Sequence, residues 1–110
     1  MIRYDIVTLF LLFRFAKKFS ILLMVQNILI VEDEVDIAEL VSFNLQREGL
    51  AVEMAHDGGE GFQLAVRSQP DLVILDLMLP TMDGYQILKE MRRDTRTHNI
   101  PVLMLTAKSQ

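Results

Sequence analysis

The stretch DLVILDLMLPTMDG, residues 71–84, determines how the rest of the chain is interpreted. It opens with a short apolar run, residues 72–75, that is rich in branched side chains. Such a run is too short for a core helix and is typical of a strand buried on both faces of a parallel sheet. Asp76 closes the run, and open α/β sheets place their chemistry at the carboxyl ends of such strands. Pro80 and Gly84 mark the following segment as a loop.

Short apolar runs of this kind alternate along the chain with segments of helical periodicity. The other predicted strands are residues 28–31, 50–55 and 100–105. The first predicted helix follows residues 33–34 and is ended by Gly49, and the other two are residues 60–68 and 85–94. Strands that alternate with helices at this spacing indicate βαβ units. The sequence therefore predicts an α/β fold with a doubly wound parallel sheet and helices on both faces.

The segments around the first predicted helix give more detailed expectations. Its apolar residues are expected to pack inward: Ile37, Leu40, Val41 and Leu45. Asp33 or Glu34 can cap its amino end. Residues 56–59 are expected to form a turn, and His56 and His98 lie in predicted loops with no other metal-ligand types beside them. Both histidines are therefore expected to face solvent.

Polar residues follow three of the predicted strands directly. Glu32 and Asp33 follow the first, Asp76 follows the third, and Thr106 follows the last. Because parallel strands end at one edge of the sheet, these side chains are expected to converge there. Clustered carboxylates repel one another, and a hard divalent cation relieves that repulsion. A cluster with no histidine or cysteine beside it favours Mg²⁺ over zinc.

Composition limits the class of protein. The 110 residues suffice for one small domain, and the absence of cysteine excludes disulfides and thiolate metal sites and agrees with a cytoplasmic location. The net charge is −4, and residues 1–23 carry four cations and one carboxylate, so the remainder is strongly acidic. An acidic domain argues against direct nucleic-acid binding, because phosphate backbones require a basic face.

Residues 1–23 differ from the rest of the chain. Two apolar runs, 6–13 and 21–25, flank Arg14, Lys17 and Lys18, which argues against both a membrane span and a signal peptide. Met24 resembles a natural start that leads into the first strand. Residues 1–23 are therefore interpreted as a non-native upstream extension, and an apolar segment lying on a membrane surface is the alternative.

Three motifs together resemble those of bacterial two-component response-regulator receiver domains. They are VEDE at residues 31–34, LDLMLPTMDG at 75–84 and LTA at 105–107, and each coincides with the end of a predicted strand. Each motif is weak by itself, but the three in this order are specific. The similarity covers about residues 27–108, and the sequences of the motifs are most similar to those of the OmpR/PhoB-like subfamily. It implies a flavodoxin-like receiver fold over residues 24–110.

The resemblance also implies a chemistry for the acidic cluster. Asp76 would be the phosphoacceptor and would receive a phosphoryl group from a histidine kinase, its expected partner. Asp33 and Asp76 would bind Mg²⁺ together with the backbone carbonyl of Met78, and Glu32 would act close by or through water. Thr106 would be the switch hydroxyl.

The sequence also departs from the family pattern. Pro80 and Gly84 fit the loop beside the site, but receivers have five βα units, whereas this chain supplies four strands and three helices. The fifth strand and the last two helices of the pattern are missing. The catalytic lysine of the missing fifth strand is absent, and Lys108 cannot replace it because it lies in the loop after Thr106. The domain is therefore expected to be an incomplete receiver that lacks most of the dimer surface. Its last strand, ending at Leu105, is expected to form an unpaired edge.

Two rival functions remain at this point. The first is a non-phosphorylatable interaction fragment of a response regulator, since the fold is incomplete. The second is an aspartate-nucleophile phosphatase on a related α/β fold. That class of enzyme needs a second aspartate two residues after the nucleophile, where this chain has Met78. The phosphatase is therefore disfavoured, and a signalling module without enzymatic turnover is expected.

Overall fold

The structure, a computed structural model, describes residues 2–4, 25–77, 79 and 83–105. The described strands are Ile2–Tyr4 (β1), Asn27–Val31 (β2), Ala51–Ala55 (β3), Leu72–Asp76 (β4) and Val102–Leu105 (β5). The described helices are Val35–Arg47 (α1), Gly58–Ser68 (α2) and Gly84–Arg93 (α3). All strand pairs are parallel, in the order β1-β5-β4-β2-β3, which confirms the predicted parallel α/β fold.

Two apolar layers cover the two faces of the sheet. On β2, Leu29 and Val31 face one layer, whereas Ile28 and Ile30 face the other. The first layer is completed by side chains of α2 and α3, namely Ala65, Ile87 and Met91. The second is completed by side chains of α1, namely Ala38, Val41 and Leu45. Burial on both faces explains why the strands are continuous apolar runs rather than alternating ones.

Two details of the helices differ from the prediction. Leu40 was expected inside, but it is 49% exposed, because the face of α1 that contacts the sheet is centred on Ala38, Val41 and Leu45. The predicted turn over residues 56–59 was wrong at its second half. Helix α2 begins at Gly58, where the side chain of Asp57 accepts a hydrogen bond from the Glu60 N–H at 2.8 Å and caps the first turn.

The helix ends follow the sequence signals more closely. Glu34, one of the two predicted capping residues, is the N-cap residue of α1, although its side chain makes no capping hydrogen bond. Gly49 follows α1 with φ of +91°, a conformation that favours glycine. Gln69 ends α2 in the left-handed region, directly before Pro70.

The edge of the sheet beside β5 is not open, as had been expected. The backbone of β1 pairs with it, with Ile2 opposite Leu103 and Tyr4 opposite Leu105. The prediction of an unpaired edge was therefore wrong. Residues 5–24 lie outside the described part of the chain, so the interpretation of residues 1–23 as an upstream extension stays a prediction. None of the described helices combines the length and apolar character that crossing a membrane requires.

Candidate functional site

Three acidic residues meet at the carboxyl edge of the sheet. Strands β2 and β4 are neighbours, with Val31 opposite Leu75, so Glu32 and Asp76 follow at adjacent positions. One carboxylate oxygen from each of Glu32, Asp33 and Asp76 lies within 4.8 Å of the other two. The predicted convergence of these three residues is confirmed, while the role of each stays a prediction.

The cluster is withdrawn from solvent to different degrees. The exposed fraction is 1% for Glu32 and 7% for Asp76, and Asp33 is half-buried. Glu32 Oε2 accepts a hydrogen bond from the Glu34 N–H at 3.1 Å, which fixes the carboxylate over the start of α1. Glu32 Oε1 is buried, and the described residues provide no hydrogen-bond partner for it. A buried oxygen in that position requires a proton or a cation.

The electrostatics of the site lead to the same requirement. Burial, together with the side chain of Asp76 beside it, raises the pKa of Glu32 to about 8. Two close carboxylates in a region of low solvation cannot both be ionised without a counter-charge. Oxygen ligands of this kind fit a hard divalent cation such as Mg²⁺. The donor set therefore matches a magnesium site when the carboxylates are ionised.

Helix α3 closes one side of the site. Gly84 is its first residue and is buried, and its N–H donates to the Leu77 carbonyl at 2.9 Å. A Cβ added at Gly84 would lie 2.6 Å from the Asp76 carbonyl oxygen and 2.9 Å from Leu77 Cα. Gly84 is therefore a packing residue of α3 against the Asp76 backbone, where the sequence had placed it in the loop.

His56 was expected to face solvent, and this expectation was wrong. Its ring is half-buried, and Nδ1 lies 3.0 Å from the backbone oxygen of Glu32. His98, in contrast, is exposed, as predicted. The contact of His56 depends on β2 and β3 lying side by side, and no local pattern near residue 56 indicates it. The order of the strands is the information that would have pointed to it.

Three predicted site residues lie outside the described part of the chain: Met78, Pro80 and Thr106. Their predicted roles are therefore not tested by the geometry. The backbone before Thr106 is described, and Leu105 lies directly opposite Asp76 in the pairing of β4 with β5. Thr106 thus follows the residue that is in register with Asp76.

Most of the chain matches a known protein family. Residues 28–110 match the family model of the response regulator receiver domain. A curated relative, the DNA-binding dual master transcriptional regulator RpaA from Synechocystis sp., is 54% identical over 84 residues. That match covers 76% of this chain and 35% of RpaA, so the chain spans about a third of the length of this relative.

Solved structures of similar fold are also receiver domains. The N-terminal domain of a response regulator receiver protein from Methanoculleus marisnigri has a TM-score of 0.73 and 39% identity, covering 76% of this chain and 68% of that one. The chemotaxis protein CheY4 from Vibrio cholerae has a TM-score of 0.72 and 34% identity, covering 78% and 72%.

A third solved structure carries a metal. The receiver domain of the sensor histidine kinase PA1611 from Pseudomonas aeruginosa has a magnesium ion coordinated in its active-site cleft. Its TM-score is 0.72 at 31% identity, covering 76% of this chain and 68% of that one. The flavodoxin-like fold expected from the sequence is confirmed by these neighbours. The chain therefore belongs to the family of response regulator receiver domains, which act in two-component phosphorelay signalling.

Proposed function

We propose that Asp76 accepts a phosphoryl group from a histidine kinase in a reaction that depends on Mg²⁺. The observation that carries this proposal is the cluster of Glu32, Asp33 and Asp76 at the carboxyl edge of the sheet, where one oxygen from each residue lies within 4.8 Å of the other two. Asp76 is the last residue of strand β4, so the strand fixes its position at the carboxyl edge of the sheet, where it is buried with 7% of its surface exposed.

The residues that would hold Mg²⁺ follow from this arrangement. Asp33 and Asp76 would be direct ligands, with the Met78 backbone carbonyl as a third, and Glu32 would act through water. The buried Glu32 Oε1 supports this assignment, because the described residues leave it without a partner. The bound ion would neutralise charge on the carboxylates and on the incoming phosphoryl oxygens.

The chain's own residues then have distinct tasks in the transfer. A carboxylate oxygen of Asp76 forms a bond to phosphorus while the bond between phosphorus and the donor histidine nitrogen breaks. Helix α3 starts at Gly84 against the Asp76 backbone, and its positive amino end favours negative charge at this edge. Thr106, which follows the register partner of Asp76, would donate its hydroxyl to a phosphoryl oxygen.

The wider role remains a signalling role without enzymatic turnover. A histidine kinase is the partner that the family implies, and the acidic composition argues against nucleic acid as a second partner of this domain. The cysteine-free sequence supports a cytoplasmic location. The name of RpaA describes a DNA-binding protein, and this chain matches 35% of its length.

The test is phosphorylation of the 110-residue chain by a small phosphodonor, acetyl phosphate, followed by intact mass measurement. We expect the mass of one phosphoryl group to appear with Mg²⁺, to be lost with a chelator, and to be absent from Asp76→Asn. Asp36→Asn, in the exposed first turn of α1, is the matched control and should label like the wild type. A folded wild-type protein that takes no label would favour the interaction fragment, and a label that persists in Asp76→Asn would refute the site.

A further inference from the structure

The two peptide groups on either side of Glu32 are each held by a hydrogen bond, one with the last residue of β3 and one with the residue after it. The Glu32 N–H donates to the Ala55 carbonyl at 2.9 Å, and the Glu32 carbonyl lies 3.0 Å from His56 Nδ1. A carbonyl oxygen can only accept, so Nδ1 must carry the proton and donate it. The orientation of the peptide plane directly before Asp33 therefore depends on the imidazole of His56.

His56 is itself held in place by the start of α2. Its backbone N–H donates to Glu60 Oε1 at 2.9 Å, and the Glu60 N–H donates to Asp57 Oδ1 at 2.8 Å. These bonds form a continuous path from the capped end of α2, through His56, to the Glu32 carbonyl. The backbone that carries the imidazole is thus fixed by hydrogen bonds to the start of α2.

We propose that His56 is a positioning residue for the metal site: its Nδ1–H fixes the Glu32–Asp33 peptide and thereby the placement of the Asp33 and Glu32 carboxylates around the cation. The inference rests on the proposed function, because it assigns to His56 a role in binding the Mg²⁺ that this function requires. Groups that hydrogen-bond to metal ligands and orient them commonly alter the metal affinity without contacting the ion.

The alternative is that His56 only ties two loops together and contributes to stability. The chain contains a matched control for that alternative. His98 Nδ1 also lies 3.0 Å from a backbone carbonyl, that of Thr95, in the turn between α3 and β5 and remote from the acidic cluster. Removing either imidazole deletes one hydrogen bond of the same kind, but only His56 reaches the backbone of the proposed ligands.

The experiment measures Mg²⁺ affinity by titration of the full chain, together with thermal stability, for three variants. His56→Leu should weaken Mg²⁺ binding by about 3- to 10-fold, the range expected for one lost hydrogen bond. His56→Asn should restore most of the affinity, because Asn Nδ2 occupies the position of His Nδ1 and can donate to the same carbonyl. His98→Leu should leave the affinity unchanged whatever it does to stability.

Failure of this inference can be distinguished from failure of the proposed function. Wild-type protein that binds no Mg²⁺ overturns both. If the wild type binds Mg²⁺ and His56→Leu binds it with equal affinity, only the role of His56 is overturned. The same holds if His98→Leu loses as much Mg²⁺ affinity as His56→Leu. A second measurement needs no variant: the imidazole ¹⁵N spectrum of the wild type should show His56 protonated at Nδ1. A neutral ring protonated only at Nε2 would overturn the proposal even if His56→Leu failed to fold.

Discussion

Gly84 packs so closely against Asp76 that a Cβ on Gly84 would lie 2.6 Å from the Asp76 carbonyl oxygen. The same Cβ would lie 2.9 Å from Leu77 Cα, so both close contacts are to backbone that cannot move aside easily. The position of the proposed phosphoacceptor and the position of α3 are therefore coupled through a residue without a side chain.

Gly84→Ala should lower the free energy of unfolding by about 1–3 kcal/mol, the usual cost of forcing an extra carbon into a packed site. It should also weaken labelling of Asp76, because relief of the clash moves α3 or the Asp76 backbone. The control is Gly59→Ala in α2, where the added Cβ meets Asp57 Oδ1 at an ordinary 3.5 Å. Gly59→Ala should be neutral or stabilising by about 0.5–1 kcal/mol. Denaturant unfolding decides between these outcomes, and equal effects of both substitutions would contradict the packing role of Gly84.

Glu32 should make the metal-free protein less stable as the pH rises. Its pKa is about 8 in the folded protein, chiefly because the carboxyl is buried, against an ordinary value of 4.5. Between those two values the folded state binds more protons than the unfolded state. The stabilisation is therefore complete below about pH 4.5 and is lost as the pH rises towards 8, at up to about 1.4 kcal/mol per pH unit.

Glu32→Gln removes this titration and should flatten that part of the pH profile. In chelator at pH 8 the variant should be more stable than the wild type by about 1–3 kcal/mol. Added Mg²⁺ should reduce the difference, since a cation favours the ionised carboxylate. Urea unfolding from pH 5 to 8.5 provides the measurement, with Glu39→Gln on the exposed face of α1 as control. Parallel profiles for wild type and Glu32→Gln would show that the carboxyl does not titrate in this range.

Asp33 should be needed for metal binding, although it is the most exposed member of the cluster. Asp33→Asn replaces a charged ligand with a neutral one of the same shape and should weaken Mg²⁺ binding by at least about tenfold. Asp36→Asn, three residues further along the chain, removes the same charge from an exposed position and should leave binding nearly unchanged. Equal affinity for Mg²⁺ in the wild type and Asp33→Asn would exclude Asp33 from the site.

Asp71 should contribute to stability at the amino ends of the strands, on the side of the sheet away from the acidic cluster. Its Oδ2 accepts hydrogen bonds from the N–H groups of Gln26 at 3.0 Å and Asn27 at 2.9 Å, at the start of β2. Asp71→Ala leaves both donors without this acceptor and should cost about 1–2 kcal/mol of stability. Glu39→Ala, on exposed α1, should stay within about 0.5 kcal/mol of the wild type. Mg²⁺ affinity should be unaffected, because the acidic cluster lies at the other ends of these strands.

The parts of the molecule that the sequence predicted are those that depend on local pattern and on the geometry of parallel sheets. The apolar runs at residues 28–31 and 72–75 predict buried strands. Parallel pairing of these strands then brings Glu32 and Asp76 together. The contact between His56 and the Glu32 carbonyl could not be predicted, because it joins residues 24 positions apart across laterally adjacent strands. Leu40 was misplaced because a stripe of apolar residues on α1 is wider than the face that contacts the sheet.

The pairing of β1 with β5 had no signal near either strand. Ile2–Tyr4 is only three residues long and lies about a hundred positions from its partner, so no periodicity could indicate the pairing. The family match starts at residue 28, and β1 lies outside it. Strand β5 contributes the buried side chains of Leu103, Met104 and Leu105. A strand that pairs with β5 therefore also stabilises the core to which these side chains belong.

The last prediction follows from that edge. Replacing Ile2, Arg3 and Tyr4 with glycine should weaken β1, since glycine disfavours strands, and should leave the edge of β5 open. An open apolar edge invites association between copies, so the variant should lose stability and form oligomers as its concentration rises. Replacing the same three residues with threonine keeps strand propensity and should preserve the backbone pairing. Hydrogen exchange at residues 103–105 and sedimentation report the two effects. If the amides of β5 exchange equally slowly in both replacements and neither associates, then β1 does not protect this edge, and residues 1–23 are better interpreted as the upstream extension that the sequence first suggested.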